Sequence, residues 1–198
     1  MTAKLNDLSF LIGHQSVPAK ELVDPAPTAG ELEQILQAAM SAPDHGELRP
    51  YRFLLIDGEA RHELSAVFAE AASQRGLDAA GIAKQQAKPL RAPMIIVVIA
   101  TLTPNPKIPE IEQLLSAGCA AQHIQLACRQ SGFGSVWLTG DNAYDLNVHE
   151  ALGVDLNERI IGFIYVGTPA AQPAERSRAD ASLITSSWQK RLRKDFAI

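Results

Sequence analysis

Apolar residues recur at two different periods along this chain, and the alternation between them lays out the elements. Leu5, Leu8, Leu11 and Ile12 share one helical face, which predicts a short helix over Leu5–Gly13. His14–Lys20 is a polar turn broken by Pro18, and Pro25–Pro27 is extended. Thr28 and Glu31 have the spacing of a capping box, and Leu32, Ile35, Leu36, Ala39 and Met40 follow at helical spacing. Tyr51–Asp57 reads as a strand ending in an Asp57–Gly58 turn. Glu59–Gly76 is an amphipathic helix with Leu64, Val67, Phe68 and Ala71 inward, and Leu77–Leu90 is a second, more polar helix. Pro93–Leu102 carries a β-branched run suited to a strand buried on both faces. Gly134–Gly140 is a short strand running into a glycine loop, Tyr144–Gly153 a helix, and Arg159–Gly167 a core strand closed by Thr168–Pro169.

Pro109–Ser131 is the longest predicted helix. Its apolar residues cover nearly the whole circumference, and Ala117–Ala121 is a small-residue middle that lets another backbone come close. A helix apolar all round is buried all round. Either the fold wraps it, or a second copy covers the remaining face; the size of the chain favours the second copy. Strands alternating with helices argue a layered α/β domain. With no linker and no internal repeat, the expectation is a single domain over residues 1–198, with a C-terminal extension from about Ala170. The end is basic and carries Trp188, which is expected to pack on something.

Composition narrows the classes. The 198 residues are 46% hydrophobic and 20% charged, with net charge −4, as in a globular domain with a real core. No basic block precedes the C-terminus, which argues against nucleic acid. No apolar run reaches the roughly 18 residues of a membrane span, and the start lacks the pattern of a signal peptide. Cys119 and Cys128 lie about 13 Å apart on one helix, too far for a disulfide, and read as buried thiols of a cytoplasmic protein. No histidine has cysteine company at metal-ligand spacing.

The chemistry concentrates in Ala42–Phe53. Pro43 and Pro50 bracket Asp44, His45, Gly46, Glu47 and Arg49 between a helix and a strand, as in a binding loop on a rigid scaffold. The phosphate loops of Rossmann and P-loop proteins are absent, as is a Gly-x-Ser-x-Gly elbow. Four pieces stand in fixed order: Gly13–Ser16, Ala42–Phe53, Ser131–Gly140 after the Ala-rich helix, and Ile161–Pro169. Together they resemble the nitroreductase family of FMN-dependent oxidoreductases, most closely its small YdjA-like branch, over roughly Leu5 to Pro169.

The resemblance implies an α+β fold, an α/β/α sandwich with a mostly antiparallel sheet flanked by helices, working as an obligate homodimer. The long helix would lie at the dimer interface with two FMN molecules. His14, Gln15 and Ser16 would bind FMN phosphate and ring edge. Ala42, Pro43, Asp44 and His45 would reach the flavin from the other chain. Trp137, Leu138 and Thr139 would flank the ring, with Gly140 just beyond. His14 and Gln15 replace the family's two arginines, and Ser41 stands where near relatives carry a third. A phosphate suits guanidinium forks best. Lys20 is the nearest fixed cation, and Arg191 and Arg193 are a second source of charge.

Such a cofactor carries the difficult step itself, so no catalytic side chain is required. The protein must present a donor to flavin N5 and positive charge near N1/O2. A backbone N–H around Thr139–Gly140 is the candidate for the first. Lys20 is the candidate for the second, with His45 or Arg49 as fallback. His62, His123 and His149 read as surface or core residues, and Trp137 equally as packing or as ring neighbour. The expected activity is NAD(P)H-dependent reduction of nitroaromatic or quinone-like acceptors by ping-pong turnover. Two alternatives stand beside it. One is a dimeric binding protein on the same scaffold, with an altered planar ligand such as haem. The other is an unrelated enzyme using Asp44 and His45 directly.

Overall fold

The computed structural model describes residues 8–171 and 176–188. The chain forms two compact units, His14–Pro173 and one made from both ends, Met1–Gly13 with Ala174–Ile198. In the terminal unit, helix α1 spans Ser9–Ile12, shorter than expected. The Arg178 Nε–H donates to the Ile12 carbonyl at 3.0 Å. Leu8, Leu11 and Ile12, which were read on one helical face, are exposed. Trp188, expected to pack, is 85% exposed. Arg191 and Arg193 lie outside the described residues.

The larger unit is built on five strands: β1 Leu22–Val23, β2 Tyr51–Asp57, β3 Met94–Thr101, β4 Gly134–Leu138 and β5 Glu158–Pro169. Every pairing is antiparallel, in the order β1-β5-β3-β2, and β4 also pairs with β5. The alternation of strands and helices argued a layered α/β domain without fixing strand direction. Periodicity does not encode strand direction, and the antiparallel α+β sheet is the one the resemblance implied. Strand β1, two residues long, is too short to leave a period in the sequence.

Helices cover both faces. Helix α2 (Ala29–Ala39) opens with the expected capping box: the Thr28 hydroxyl accepts from the Glu31 N–H, and Glu31 accepts from the Thr28 N–H at 2.8 Å. Such a cap is worth about 1 kcal/mol. Leu32, Ile35 and Ala39 are buried, whereas Met40 is exposed past the helix end. Helix α2 packs with α5 (Glu110–Gln130) against Met94, Ile96, Val98 and Ala100 of β3. Helix α3 (Ala60–Gln74) packs with Leu64 and Phe68 against the other face, at Ile95, Val97 and Ile99, where Phe68 meets the Phe163 ring edge-on at 5.4 Å. Helices α4 (Ala79–Gln86) and α6 (Leu146–Ala151) lean on α3. β3 is buried through Ala100, which is why its sequence is continuously apolar.

Helix α5 is not wrapped on all sides. Ala117, Ala120, Ala121, Ile124 and Cys128 are fully buried. Ile111 and Leu115 are 59% and 61% exposed, and Gly118, Cys119, Gln122 and Leu126 behind them are only half-buried. These six residues line up at i, i+4, i+7, i+8, i+11 and i+15, a single stripe along the helix. The expectation of burial all round therefore fails within one chain.

Candidate functional site

The residues singled out from sequence fall into two groups in the larger unit. The first lies at the β4 edge of the sheet. Val17 N–H donates to the Ser135 carbonyl at 2.9 Å, which ties the segment carrying His14, Gln15 and Ser16 to β4. Lys20 sits exposed in a tight turn, Ala19–Glu21, which packs against a second turn, Pro89–Arg91. Strand β4 runs on from Ser135 to Trp137, half-buried, whose indole N–H donates to the Ile161 carbonyl at 3.0 Å. Leu138, Thr139 and Gly140 follow as an exposed rim. Gly140 has φ +66°, a conformation that glycine adopts without a steric penalty.

One residue of this group was not foreseen. A Cβ built on Gly140 would lie 3.9 Å from the Lys88 ammonium. Lys88 is half-buried at the end of α4, and its amine makes no hydrogen bond or ion pair among the described residues. Burial lowers its pKa first, and repulsion from Arg91, Lys84 and Arg75 lowers it further, against an opposing pull from Asp141. A desolvated cation held beside a bare backbone loop is a ready partner for an anion or for a ring that gains negative charge. The sequence signal is slight: Lys88 stands just past α4, before Pro89 and between the cations Lys84 and Arg91.

The second group lies along α5. The Ser41 hydroxyl donates to the Ala38 carbonyl at 2.8 Å and sits 3.2 Å from His123 Nδ1. Pro43 is exposed, and the Asp44 carboxylate accepts from the Arg49 N–H at 2.7 Å, closing the loop on itself. His45 Nδ1 lies 2.7 Å from a Glu112 carboxylate oxygen. The loop is tightly specified: Gly46, Glu47 and Arg49 all have φ between +49° and +73°, and a Cβ on Gly46 would come within 2.6 Å of Ile108. Strain of this kind persists only where surroundings over-determine it. Glu112 and His123 are eleven residues, or about three turns, apart and share one side of α5. That side borders the uncovered stripe, and Trp137 approaches the opposite border, 3.8 Å from where a Cβ on Gly118 would be.

Within one chain no hydrogen bond or ion pair among the described residues joins the two groups. His149 is half-buried, and its Nε2–H donates to the Ala143 carbonyl at 2.8 Å; His62 is exposed. Burial pushes the Cys128 thiol up to about 12, so it is chemically inert; Cys119 is half-buried. No group of histidine, cysteine and acidic side chains suits a metal ion, and no helix is long and apolar enough to cross a membrane, both among the described residues.

Known proteins match both the sequence and this architecture. "Putative NAD(P)H nitroreductase YdjA" of Escherichia coli (strain K12) is 42% identical over 165 residues, which covers 83% of this chain and 89% of that one. A nitroreductase-like family protein from Bacillus cereus superposes with a TM-score of 0.81 at 23% identity, covering 96% of this chain and all of the other. An FMN-dependent nitroreductase from Clostridium difficile R20291 gives 0.68 at 21% identity, covering 93% and 99%. At such identities the two structures speak for the fold. The Nitroreductase family model matches residues 19–168, which takes in β1 through β5, the Ser41–His45 loop and the Gly140 rim; together with the YdjA match, this establishes that the chain belongs to the nitroreductase family.

Proposed function

We propose that this chain is a cytoplasmic, FMN-dependent NAD(P)H oxidoreductase that acts as a homodimer on nitroaromatic or quinone-like acceptors. The observation that carries the reading is the pairing of the bare Gly140 loop with the Lys88 amine. One offers backbone N–H groups toward flavin N5, and the other offers positive charge toward N1/O2, taking the role that Lys20 was expected to fill. The family match and the name of the E. coli relative support the activity class.

FMN, when bound, supplies the exchange of two electrons between NAD(P)H and the acceptor in ping-pong turnover. The chain's own residues bind and orient it. Trp137 and Leu138 form the apolar wall beside the ring. Thr139 and Gly140 present backbone donors that need no reorganisation. His14, Gln15 and Ser16 donate neutral hydrogen bonds to the phosphate end, with Lys20 and Arg91 nearby for charge, since their two turns pack together. A second copy covers the α5 stripe and brings its own Ser41, Pro43, Asp44 and His45 to the seam. The position of that loop, beside an uncovered apolar stripe, favours this arrangement.

A second reading is a binding protein on the same scaffold with no turnover. It is favoured by the absence of any guanidinium at His14, Gln15 and Ser41. The visible absorbance of the purified protein separates the two. A flavin spectrum, retained after gel filtration with added FMN and bleached by NADPH, is the expected result. A protein that stays colourless after FMN addition overturns the enzyme reading, and one that binds FMN but is not bleached supports the second.

A further inference from the structure

We propose that Asn142 is a positioning residue that locks the Gly140 loop to the helical turn bearing Lys88. The proposal rests on the flavin reading above. Asn142 lies two residues after Gly140, inside the turn in which the Ala143 N–H donates to the Gly140 carbonyl at 3.1 Å. It is 2% exposed, so each of its polar atoms must be satisfied by protein. Its Oδ1 accepts from Arg75 Nη2 at 2.9 Å, and its Nδ2 donates to Gln85 Oε1 at 3.3 Å.

Gln85 is itself buried, and its backbone carbonyl accepts the Lys88 N–H at 3.1 Å. Lys88 and Gln85 thus occupy one turn at the end of α4, and Asn142 reaches that turn from below the Gly140 loop. Arg75 anchors the far side. Its other amino group pairs with Asp145, whose Oδ1 accepts from the backbone N–H groups of Asn147 and Val148 at the start of α6. The Ser65 hydroxyl donates to the Gln86 carbonyl at 2.6 Å and fixes the same end of α4 to α3. The chain of bonds runs from α6 through Arg75 and Asn142 to Gln85. The gap between the loop and the Lys88 amine is therefore set by side chains that do not touch the ligand. Among the described residues the Lys88 amine makes no hydrogen bond or ion pair that holds it there, and the electrostatic cost of its position comes from burial and three neighbouring cations. Without the Asn142–Gln85 link, such an amine relaxes toward water.

The test uses the full-length protein and FMN itself. Wild type is titrated with FMN by flavin fluorescence, and the midpoint potential of bound FMN is measured. Gln85→Met breaks the link while keeping the Arg75–Asn142 bond, and Asn142→Ala removes both bonds. Gln85→Met is expected to weaken FMN about tenfold, the scale of one buried hydrogen bond. It is also expected to move the midpoint potential to more negative values, because the cation that favours reduced flavin is displaced. Each effect should vanish in a Lys88→Met background, since a residue acting through Lys88 has nothing left to act on. A purely structural role predicts additive losses in that background instead, and additivity overturns the proposal. So does a folded Gln85→Met with wild-type affinity and potential, and Asn142→Ala repeats the test at the other partner. If wild type binds no FMN, the flavin reading itself has failed. Bound FMN with unchanged variants refutes only the positioning role.

Discussion

The indole of Trp137 lies across Gly162. The two residues are on neighbouring strands, β4 and β5, and a Cβ built on Gly162 would run into the ring. The indole N–H is spent on the Ile161 carbonyl, and the far edge of the ring approaches Gly118 of α5. Trp137 is therefore fixed by sheet and helix together.

Gly162→Ala is expected to displace the ring and to cost about 2–3 kcal/mol, as overpacking of a tight site does. Chemical denaturation measures the loss, and a shift in tryptophan emission reports the displaced indole. A variant with wild-type stability and emission contradicts the packing described.

Lys88→Met is expected to change two quantities in opposite directions. Burial and the neighbouring Arg91, Lys84 and Arg75 disfavour the charged amine, so its removal raises the melting temperature of the flavin-free protein. The same change weakens FMN and makes its bound potential more negative. A variant that loses stability without FMN argues that Lys88 is a structural residue.

Glu158 gives the fold a defined acid limit. It is 4% exposed, Arg52 donates to both its oxygens at 2.7 Å, and Thr101 and the Asp155 N–H complete the shell. The Arg52 hydrogen bonds, outweighing burial, hold its pKa down to about 2 from 4.5. A depressed carboxylate stabilises fully above its unfolded pKa, and that contribution is lost as pH falls from about 4.5 through 2. Glu158→Gln is expected to cost on the order of 2 kcal/mol at neutral pH, allowing for the half-exposed guanidinium, and much less near pH 2. Urea titrations at both pH values measure the difference; a penalty independent of pH removes the ion pair from the account.

Leu115→Glu places a charge in the middle of the exposed α5 stripe. If a second copy covers that stripe, as proposed, each chain loses roughly 2 kcal/mol of apolar burial and gains a buried charge. The dimer should then fall apart in size-exclusion chromatography with light scattering, and FMN binding should fall with it. A stable monomeric wild type, or a variant dimer that still binds FMN, contradicts the seam.

Much of the fold was legible in the sequence because burial writes itself as period. Tyr51–Asp57 forms the strand it was read as, the continuous β-branched run became the buried β3, and Thr28 and Glu31 capped α2 as their spacing required. The two ends of the chain resisted the same reading. α1 and Trp188 have apolar faces that a packing rule sends inward, and they are exposed here. The Gly140 rim was readable from a glycine after a strand, and so was the Ser41–His45 loop from its prolines.

Tertiary structure alone decided which cation meets that rim. Lys20 is close to His14 in sequence, and Lys88 is close to Gly140 only in space. It also decided that α5 keeps one stripe uncovered, since the helix's apolar circumference is the same whether one chain or two must cover it. Local periodicity records whether a residue is buried. Which partner buries it depends on strand order and direction, and these are properties of the whole chain.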